Sequence, residues 1–253
     1  MMKTVMVTGA TSGIGKACAL AFAKAGYRVI ITGRRAGLLQ ELSDWIRGEC
    51  GPDRVYTLVF DVCDRKGAEE AVSGLPEEWK MIDVLVNNAG LALGLDKEYE
   101  GDYQDWDTMI DTNIKGLLTM TRTIVPGMVE RNHGHVINIG SVAGDAAYAN
   151  GNVYCATKAA VKSITDGLRI DVAHTALRVT LVKPGLVETN FSKVRFHGDE
   201  KRADNVYKGI KPLTGEDIAE VVVYAAQSPA HVQIAEILVL ATHQANGSVI
   251  VRE

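Results

Sequence analysis

A tyrosine and a lysine stand four residues apart in the run Tyr154-Cys-Ala-Thr-Lys158. On a helix this spacing places both side chains on one face, one turn apart. A free tyrosine titrates near pH ~10, and a neighbouring ammonium group favours the phenolate. Lys158 is therefore expected to lower the pKa of Tyr154 until the phenol can exchange a proton with a substrate.

A serine, Ser141, follows the apolar run Val136–Ile139. A tight return of the chain after that run would bring its hydroxyl over the same pocket as Tyr154. A serine there can hold a carbonyl oxygen but cannot accept a hydride. Redox chemistry at this pocket therefore needs an electron carrier bound elsewhere in the chain.

A glycine-rich loop, Thr8–Gly15, lies between the first apolar run and the first helical stretch. Glycines suit positions where a Cβ would collide with a pyrophosphate, and a helix N-terminus offers free N–H groups and partial positive charge. The spacing is GxxxGxG rather than the dinucleotide fingerprint GxGxxG, and a turn without a ligand is the alternative. The candidate cofactor residues of this loop are Gly9, Thr11, Ser12, Gly13, Ile14 and Gly15.

Two arginines, Arg34 and Arg35, end the second apolar run. An NAD site normally has an acid here for the ribose 2′-hydroxyl, whereas NADP needs cations for its 2′-phosphate. No acid is present, and guanidinium groups bind phosphate through forked hydrogen bonds. The alternative, a solvated basic pair at a helix start, is unfavourable without an anion. We predict NADP, with Ser12 as an additional phosphate donor.

Apolar runs of strand length alternate with amphipathic helical stretches, which is typical of a doubly wound parallel sheet with helices on both faces. The predicted strands are Thr4–Thr8, Arg28–Thr32, Val55–Phe60, Val84–Asn87, His135–Ile139, Arg178–Val182 and Ile237–Leu240. The predicted helices are Gly13–Ala25, Ala36–Gly48, Arg65–Gly74, Trp106–Arg131, Asn152–His174 and Asp217–Ala226. The expected fold is α/β, with seven parallel strands in a single domain, 1–253.

Composition excludes several classes of partner. The formal net charge of -4 over 253 residues gives no support to nucleic-acid or anionic-membrane binding. No apolar run reaches the roughly 20 residues of a membrane span, and the early first strand leaves no room for a signal peptide. The four cysteines are scattered without metal-ligand spacing. We expect a soluble, cytoplasmic protein without a bound metal.

With these motifs in order, the sequence resembles the short-chain dehydrogenases/reductases over essentially its whole length. The motifs that carry the resemblance are Thr8–Gly15, Asp61-Val62, Asn87-Asn88-Ala89-Gly90, Asn113, Ser141, Tyr154 with Lys158, and Pro184-Gly185. Three segments, 87–94, 126–135 and 191–199, are similar to one branch, the NADP-dependent 3-hydroxy acid dehydrogenases. That branch acts on serine and allo-threonine and reduces malonic semialdehyde.

The resemblance implies catalytic roles. Tyr154 would be the general acid/base, Ser141 would hold the substrate oxygen, and Lys158 would bind the nicotinamide ribose. Asn113 would help hold a water that links Lys158 to solvent. From the residues alone, Asn113 could equally satisfy local backbone groups, and Asp61 could be a plain helix cap.

The resemblance also implies the rest of the cofactor site and the assembly. Asp61 and Val62 would meet the adenine, and Asn88, Ala89 and Gly90 would pass along the cofactor ribose. Further residues would surround the nicotinamide, namely Pro184, Gly185, Val187 and Thr189. A Rossmann-type sheet with strand order 3-2-1-4-5-6-7 and a homotetramer are implied as well. The cofactor half would cover about 1–135 and the catalytic and substrate half about 136–253.

The segment 188–213 lacks clear periodicity, and long irregular segments of this kind are usually functional lids. A 3-hydroxy acid carries a carboxylate, which needs a cation when it is buried. Within the run Phe191–Phe196 we expect Arg195 to pair with that carboxylate while the phenylalanines exclude water. A solvated surface arginine is the competing interpretation.

Three functions remain open at this point. The first is an NADP-dependent dehydrogenase of small 3-hydroxy acids. The second is a broad NADPH-dependent carbonyl reductase or 3-oxoacyl reductase, although no paired glycines follow the last strand as they do in many acyl reductases. The third is a non-catalytic NADP-sensing protein, which would be expected to lose Tyr154 or Lys158.

Overall fold

The structure, a computed structural model, describes residues 2–252. Seven strands form one parallel sheet: β1 Thr4–Val7, β2 Arg28–Gly33, β3 Val55–Val59, β4 Val84–Asn87, β5 His135–Ile139, β6 Arg178–Pro184 and β7 Glu236–Val239. Their order across the sheet is β3-β2-β1-β4-β5-β6-β7. The predicted doubly wound, Rossmann-type fold and its implied strand order are confirmed.

The helices are α1 Gly13–Lys24, α2 Ala36–Cys50, α3 Arg65–Ser73, α4 Tyr103–Ile110, α5 Leu117–Glu130, α6 Asn152–Asp171, α7 Phe191–Arg195, α8 Glu200–Tyr207 and α9 Gly215–Gln227. They cover both faces of the sheet and form two main apolar cores. One core joins α1, α2 and α9 to the sheet, around residues such as Phe22 and Ile218. The other joins α3 and α5 to the opposite face, around Leu85 and Met128.

The prediction of one helix over Trp106–Arg131 is wrong in its continuity. α4 begins earlier, at Tyr103, because Asp102 caps it by accepting hydrogen bonds from the N–H groups of Gln104 and Asp105. A π-helical turn, Asp111–Gly116, then separates α4 from α5. Such turns often occur at functional sites, and this one contains Asn113.

The segment 188–213 is more regular than expected. It contains two short helices, α7 and α8, and Asp199 caps α8 by accepting from the N–H of Arg202. Thr214 caps the last helix, α9, through a reciprocal capping box with Asp217. Residues 2–252 contain no helix that is both long and apolar enough to cross a bilayer.

The connections fix where a ligand can bind. In an open parallel sheet, ligands occupy the crevice beyond the carboxyl ends of the strands, where the strand order reverses. Here the reversal lies between β1 and β4, which are adjacent in the sheet. The glycine-rich loop follows β1, and Ser141 follows β5, so both lie at this edge.

Candidate active site

A cavity of about 630 Å³ opens at the carboxyl edge of the sheet. All the residues proposed from the sequence for cofactor, substrate and catalysis line it except Gly15 and Asn113. They come from the carboxyl ends of six strands, β1 to β6, and from the loops and helices that follow them, so no single stretch of sequence makes the site. Gly15 and Asn113 lie just behind the cavity wall and support residues that reach it.

The loop after β1 has the backbone that its glycines predict. Gly9 and Gly13 have φ of 66° and 54°, in the left-handed region that favours glycine. A Cβ on Gly9 would lie 2.9 Å from the Cα of Ala89, and one on Gly15 would clash with the amide of Asn88. The Asn88 amide donates to the carbonyl oxygens of Thr8, at 2.9 Å, and Gly9, at 3.2 Å. The loop therefore packs tightly while it presents backbone to the cavity.

The two arginines after β2 lie at the rim of the cavity and are held by different partners. Arg34 Nη1 is 3.3 Å from the carboxylate of Asp61. Arg35 donates to the hydroxyl oxygens of Thr11 and, at 3.1 Å, of Ser12. The arrangement concentrates two guanidinium groups and two hydroxyls where the sequence predicts a 2′-phosphate.

The side-chain carboxyl group of Asp61 is more acidic here than that of a free aspartate. Burial opposes its ionisation, but the N–H of Cys63 and the charge of Arg34 outweigh burial and hold the pKa of Asp61 below its ordinary value. Its carboxylate accepts from the Cys63 N–H at 3.0 Å. Asp61 is therefore an ionised acceptor at the rim of the cavity.

Ser141, Tyr154 and Lys158 meet at the centre of the cavity. The side chain of Ser141 is hydrogen-bonded to the Tyr154 hydroxyl and also accepts from the Ala143 N–H at 3.1 Å. Tyr154 and Lys158 lie one turn apart on α6, and both are buried. The Lys158 ammonium is 5.9 Å from the centroid of the Tyr154 ring.

The expected lowering of the Tyr154 pKa by Lys158 is wrong for this structure. Burial dominates and raises the pKa of Tyr154 above its ordinary value, because the phenolate loses its hydration. The Ser141 hydrogen bond and the positive charge of Arg195 act in the opposite direction, and neither overcomes burial. The same effect lowers the pKa of Lys158 to about 8.

Asn113 occupies the π-helical turn and bonds to neighbouring elements. Its carbonyl oxygen accepts from the N–H of Leu91 at 2.8 Å, and its amide donates to the Leu91 carbonyl at 2.8 Å and the Thr157 hydroxyl at 3.0 Å. It thus joins the loop after β4 to α6. Asn113 therefore satisfies the backbone N–H and carbonyl of Leu91, as the residues alone allowed. Its role in holding a water stays a prediction.

Arg195 ends α7 and lies over the catalytic tyrosine candidate. Its guanidinium carbon is 5.6 Å from the centroid of the Tyr154 ring. The Phe191 ring meets the same tyrosine edge-on, with 5.6 Å between centroids. Arg195 is half-buried, and no carboxylate within residues 2–252 lies within 4.0 Å of it. The segment 188–213 therefore brings to the cavity a positive charge that has no ion-pair partner within 4.0 Å in the described residues.

The other residues implied for the nicotinamide end lie along the path from β6 into this segment. Gly185 donates its N–H to the carbonyl oxygen of Val239 at 2.7 Å. Val187 pairs with Leu213 in an isolated bridge. Thr189 approaches the glycine-rich loop, because a Cβ on Gly13 would lie 3.2 Å from the Thr189 side chain. Pro184 ends β6 and lines the cavity.

Sequence reasoning missed several polar side chains that line the cavity, among them Tyr148 and Gln244. The hydroxyl of Tyr148 accepts from Arg195 Nη1 at 2.8 Å. The Gln244 carbonyl oxygen accepts from the Leu186 N–H at 2.8 Å. Tyr148 stands six residues before Tyr154, so an aromatic side chain just before α6 was a usable signal. No pattern in the sequence marks Gln244, whose contact spans 58 positions.

Within residues 2–252, no group of three or more His, Cys, Asp or Glu side chains could hold a metal ion.

The fold, the glycine-rich loop and the Ser141–Tyr154–Lys158 cluster define a dinucleotide-dependent dehydrogenase. Residues 3–200 match the family model of the short chain dehydrogenases, and the chain belongs to that family.

Individual relatives are similar to this chain in sequence as well as in fold. The chain is 52% identical over 231 residues to the NADP-dependent 3-hydroxy acid dehydrogenase YdfG of Escherichia coli, covering 91% of each chain. It is 44% identical over 252 residues to an NADP-dependent 3-hydroxy acid dehydrogenase of Schizosaccharomyces pombe, covering 99% of this chain and 97% of that one. A solved serine dehydrogenase, in its closed form complexed with NADP+, superposes with a TM-score of 0.93 and 49% identity over 99% of both chains.

Proposed function

We propose that this chain is an NADP-dependent oxidoreductase that transfers a hydride between the nicotinamide and C3 of small 3-hydroxy acids. Serine, allo-threonine and 3-hydroxypropionate belong to this class, with malonic semialdehyde as a product of the last. The single observation that carries the choice of an acid is Arg195, a half-buried cation without a carboxylate partner among residues 2–252, 5.6 Å from the Tyr154 ring. A substrate carboxylate would supply the missing negative charge.

The cavity fits NADP. Gly9 and Gly13 give the loop after β1 its left-handed turns beside the cavity, and α1 begins directly after this loop, so its N-terminus would face the pyrophosphate. Arg34 and Arg35, with the Thr11 and Ser12 hydroxyls, would bind the 2′-phosphate. When bound, the cofactor accepts the hydride from the alcohol or donates it to the carbonyl.

The protein's own residues would manage the proton and the substrate oxygen. Ser141 would hold that oxygen by a hydrogen bond beside the Tyr154 hydroxyl. In the reducing direction Tyr154 would donate its proton to the carbonyl oxygen, and its raised pKa keeps it protonated at neutral pH. In the oxidising direction Tyr154 would first release that proton, and its phenolate would accept the hydroxyl proton; the positive charge of Arg195 favours the phenolate that this direction needs.

Phe191 and Phe196 support a closed, water-poor site. Phe196 is buried, and Phe191 stacks edge-on against Tyr154. We therefore propose that 188–213 is a substrate lid. It belongs to the catalytic and substrate half of about 136–253, and about 1–135 forms the cofactor half. Water exclusion strengthens charge interactions such as that between Arg195 and a carboxylate.

The test is a comparison of 3-hydroxypropionate with its methyl ester, with NADP+ and NAD+ as alternative oxidants. The acid should have the higher kcat/KM, because only a carboxylate uses the Arg195 charge. Arg195→Gln should lower kcat/KM for the acid by about 10- to 100-fold and leave the ester nearly unchanged. Lys193→Gln is the matched control, since Lys193 is an exposed lid cation already paired with Glu200.

Equal kcat/KM for acid and ester in the wild-type protein would instead favour the broad carbonyl reductase. NADPH binding without turnover of any alcohol or carbonyl would favour the NADP-sensing protein.

We extend the proposal to a homotetramer in the cytoplasm. Exposed apolar side chains on α6 and on the edge strand β7, namely Ile170 and Leu238, support burial against further copies. Sedimentation velocity tests this, since a monomer of 27.3 kDa is readily separated from a tetramer.

A further inference from the structure

Tyr148 lies in the loop between Ser141 and α6, with its ring in the small apolar cluster that also contains Tyr154, Cys155 and Ala143. The N–H of Gly151 donates to the Tyr148 carbonyl at 3.0 Å, which closes a turn just before α6. The ring packs directly on Gly151, where any Cβ would clash with it. The ring is therefore fixed, and its hydroxyl points at Arg195, 2.8 Å from Nη1.

Arg195 is held on its other side by Gly94. Its Nε donates to the Gly94 carbonyl at 3.1 Å, and its own carbonyl accepts from the Gly94 N–H at 2.9 Å. Gly94 has a φ of 67°, and a Cβ there would crowd Asp96 and Asp105. The loop after β4 thus holds both the backbone and the side chain of the arginine.

These contacts leave one part of the guanidinium available. Nε is bonded to Gly94 and Nη1 to Tyr148, while Nη2 has no hydrogen-bond partner within residues 2–252. A freely moving arginine side chain loses rotamer entropy when it binds an anion, so a fixed one binds an anion at less entropic cost. The cavity lies on the side of Arg195 that Tyr148 and Tyr154 also line.

We propose that Tyr148 is a positioning residue that orients the Arg195 guanidinium toward the carboxylate of the substrate and so sets the preference for acids over neutral substrates. The inference rests on the proposed function of Arg195 and adds the group that holds it. Tyr148 acts through Arg195, so it should affect substrates with a carboxylate and spare those without one.

The test uses Tyr148→Phe, which removes only the hydroxyl, with 3-hydroxypropionate and its methyl ester as probes. The hydroxyl positions the guanidinium and does not itself contact the substrate, so only part of the energy of its hydrogen bond to Arg195 appears in substrate binding. The KM for the acid should therefore rise about 3- to 10-fold, with kcat changed less than about twofold and both constants for the ester unaltered. NADPH affinity should also be unaltered.

Tyr207→Phe is the matched control. Tyr207 is a lid tyrosine whose hydroxyl bonds to Ser192 at 2.7 Å and to the Val187 carbonyl at 3.0 Å, and not to Arg195. It should leave the ratio of acid to ester kcat/KM unchanged. Gly151→Ala is a second variant, which displaces the Tyr148 ring but keeps its hydroxyl, and it should lower that ratio as Tyr148→Phe does.

A double variant, Tyr148→Phe with Arg195→Gln, distinguishes the positioning role of Tyr148 from the proposed function of Arg195. If Tyr148→Phe lowers the acid preference on its own, Arg195→Gln abolishes it, and Tyr148→Phe has no further effect in the Arg195→Gln background, the inference holds. If Arg195→Gln abolishes the preference but Tyr148→Phe leaves it intact, the positioning role is wrong and the proposed function stands. If Arg195→Gln itself leaves the preference intact, the proposed carboxylate site fails. Equal losses for acid and ester in Tyr148→Phe would indicate a general structural role and overturn the inference.

Discussion

The ammonium nitrogen of Lys158 lies 3.0 Å from the carbonyl oxygen of Ile139, the last residue of β5. This bond joins α6 to the strand that leads into Ser141, two residues further on. It also holds Lys158 in a buried position, where the charged form is costly. The lysine is therefore a source of pH-dependent stability as well as a candidate cofactor ligand.

We predict that replacing Lys158 by a neutral residue raises the free energy of unfolding, and that the size of this gain depends on pH. The pKa of Lys158 falls from 10.5 to about 8 in the folded protein. Below pH 8 the folded state bears the full cost of the buried charge. Between pH 8 and 10.5 only the unfolded state keeps the proton, so stability rises with pH.

Lys158→Met should consequently raise the free energy of unfolding most at pH 7, and its advantage should shrink by about 2–3 kcal/mol by pH 10.5. Urea unfolding of both proteins across this range measures the difference. A constant difference between them would contradict the lowered pKa.

Removing the Tyr154 hydroxyl should separate binding from catalysis. Tyr154→Phe keeps the ring contact with Phe191 but loses the group bonded to Ser141. Turnover should fall about 10³-fold or more, because proton transfer typically contributes 10²–10⁴-fold, while NADPH affinity stays near that of the wild type. Steady-state kinetics and NADPH fluorescence titration measure the two effects, with exposed Tyr103→Phe as the control. Retained turnover would remove Tyr154 from the mechanism.

The arginines after β2 should decide the choice of cofactor. Arg34→Ala with Arg35→Ala should reduce the ratio of NADP+ to NAD+ kcat/KM by at least about 10-fold, since hydrogen bonds to charged groups contribute roughly 1.5–3 kcal/mol each. The loss should come mainly from NADP+. Arg47→Ala is the control, because Arg47 is an exposed arginine on the helix α2 that follows the pair. An unchanged ratio would mean that other residues hold the 2′-phosphate.

The Asn113 side chain should be important for stability. Asn113→Ala removes three hydrogen bonds and leaves the N–H and carbonyl of Leu91 without their partner. Each unsatisfied buried group costs about 1–3 kcal/mol, so the free energy of unfolding should fall by about 2–4 kcal/mol. Thr112→Ala, whose hydroxyl has only a 3.6 Å contact with the Cys63 thiol, should cost much less. Equal losses in urea unfolding would show that Asn113 is not the link between the loop after β4 and α6.

The pattern of apolar runs was sufficient to predict the sheet and most of the helices, because buried parallel strands leave a strong, local signal. It failed at the π-helical turn Asp111–Gly116, which interrupts a stretch that reads as one helix. That turn depends on the bonds of Asn113 to Leu91 and Thr157, 22 and 44 positions away. No window of sequence contains those partners.

The segment 188–213 illustrates the same limit. Its function as a lid was predicted from its lack of periodicity, but its two helices α7 and α8 were not. Both are short, five and eight residues, and helices of that length depend on tertiary packing more than on propensity.

By itself the sequence determined the α/β class and identified the glycine-rich loop, the paired arginines and the Ser141, Tyr154 and Lys158 set, because residue type and spacing carry that information. Only the tertiary structure decided the charge balance of the site. The burial of Tyr154 and Lys158 reverses the pKa shift that their spacing suggests, since desolvation depends on every neighbouring element. The contacts of Arg195 with Gly94 and Tyr148 likewise join residues 101 and 47 positions apart, and such distances are closed only by folding.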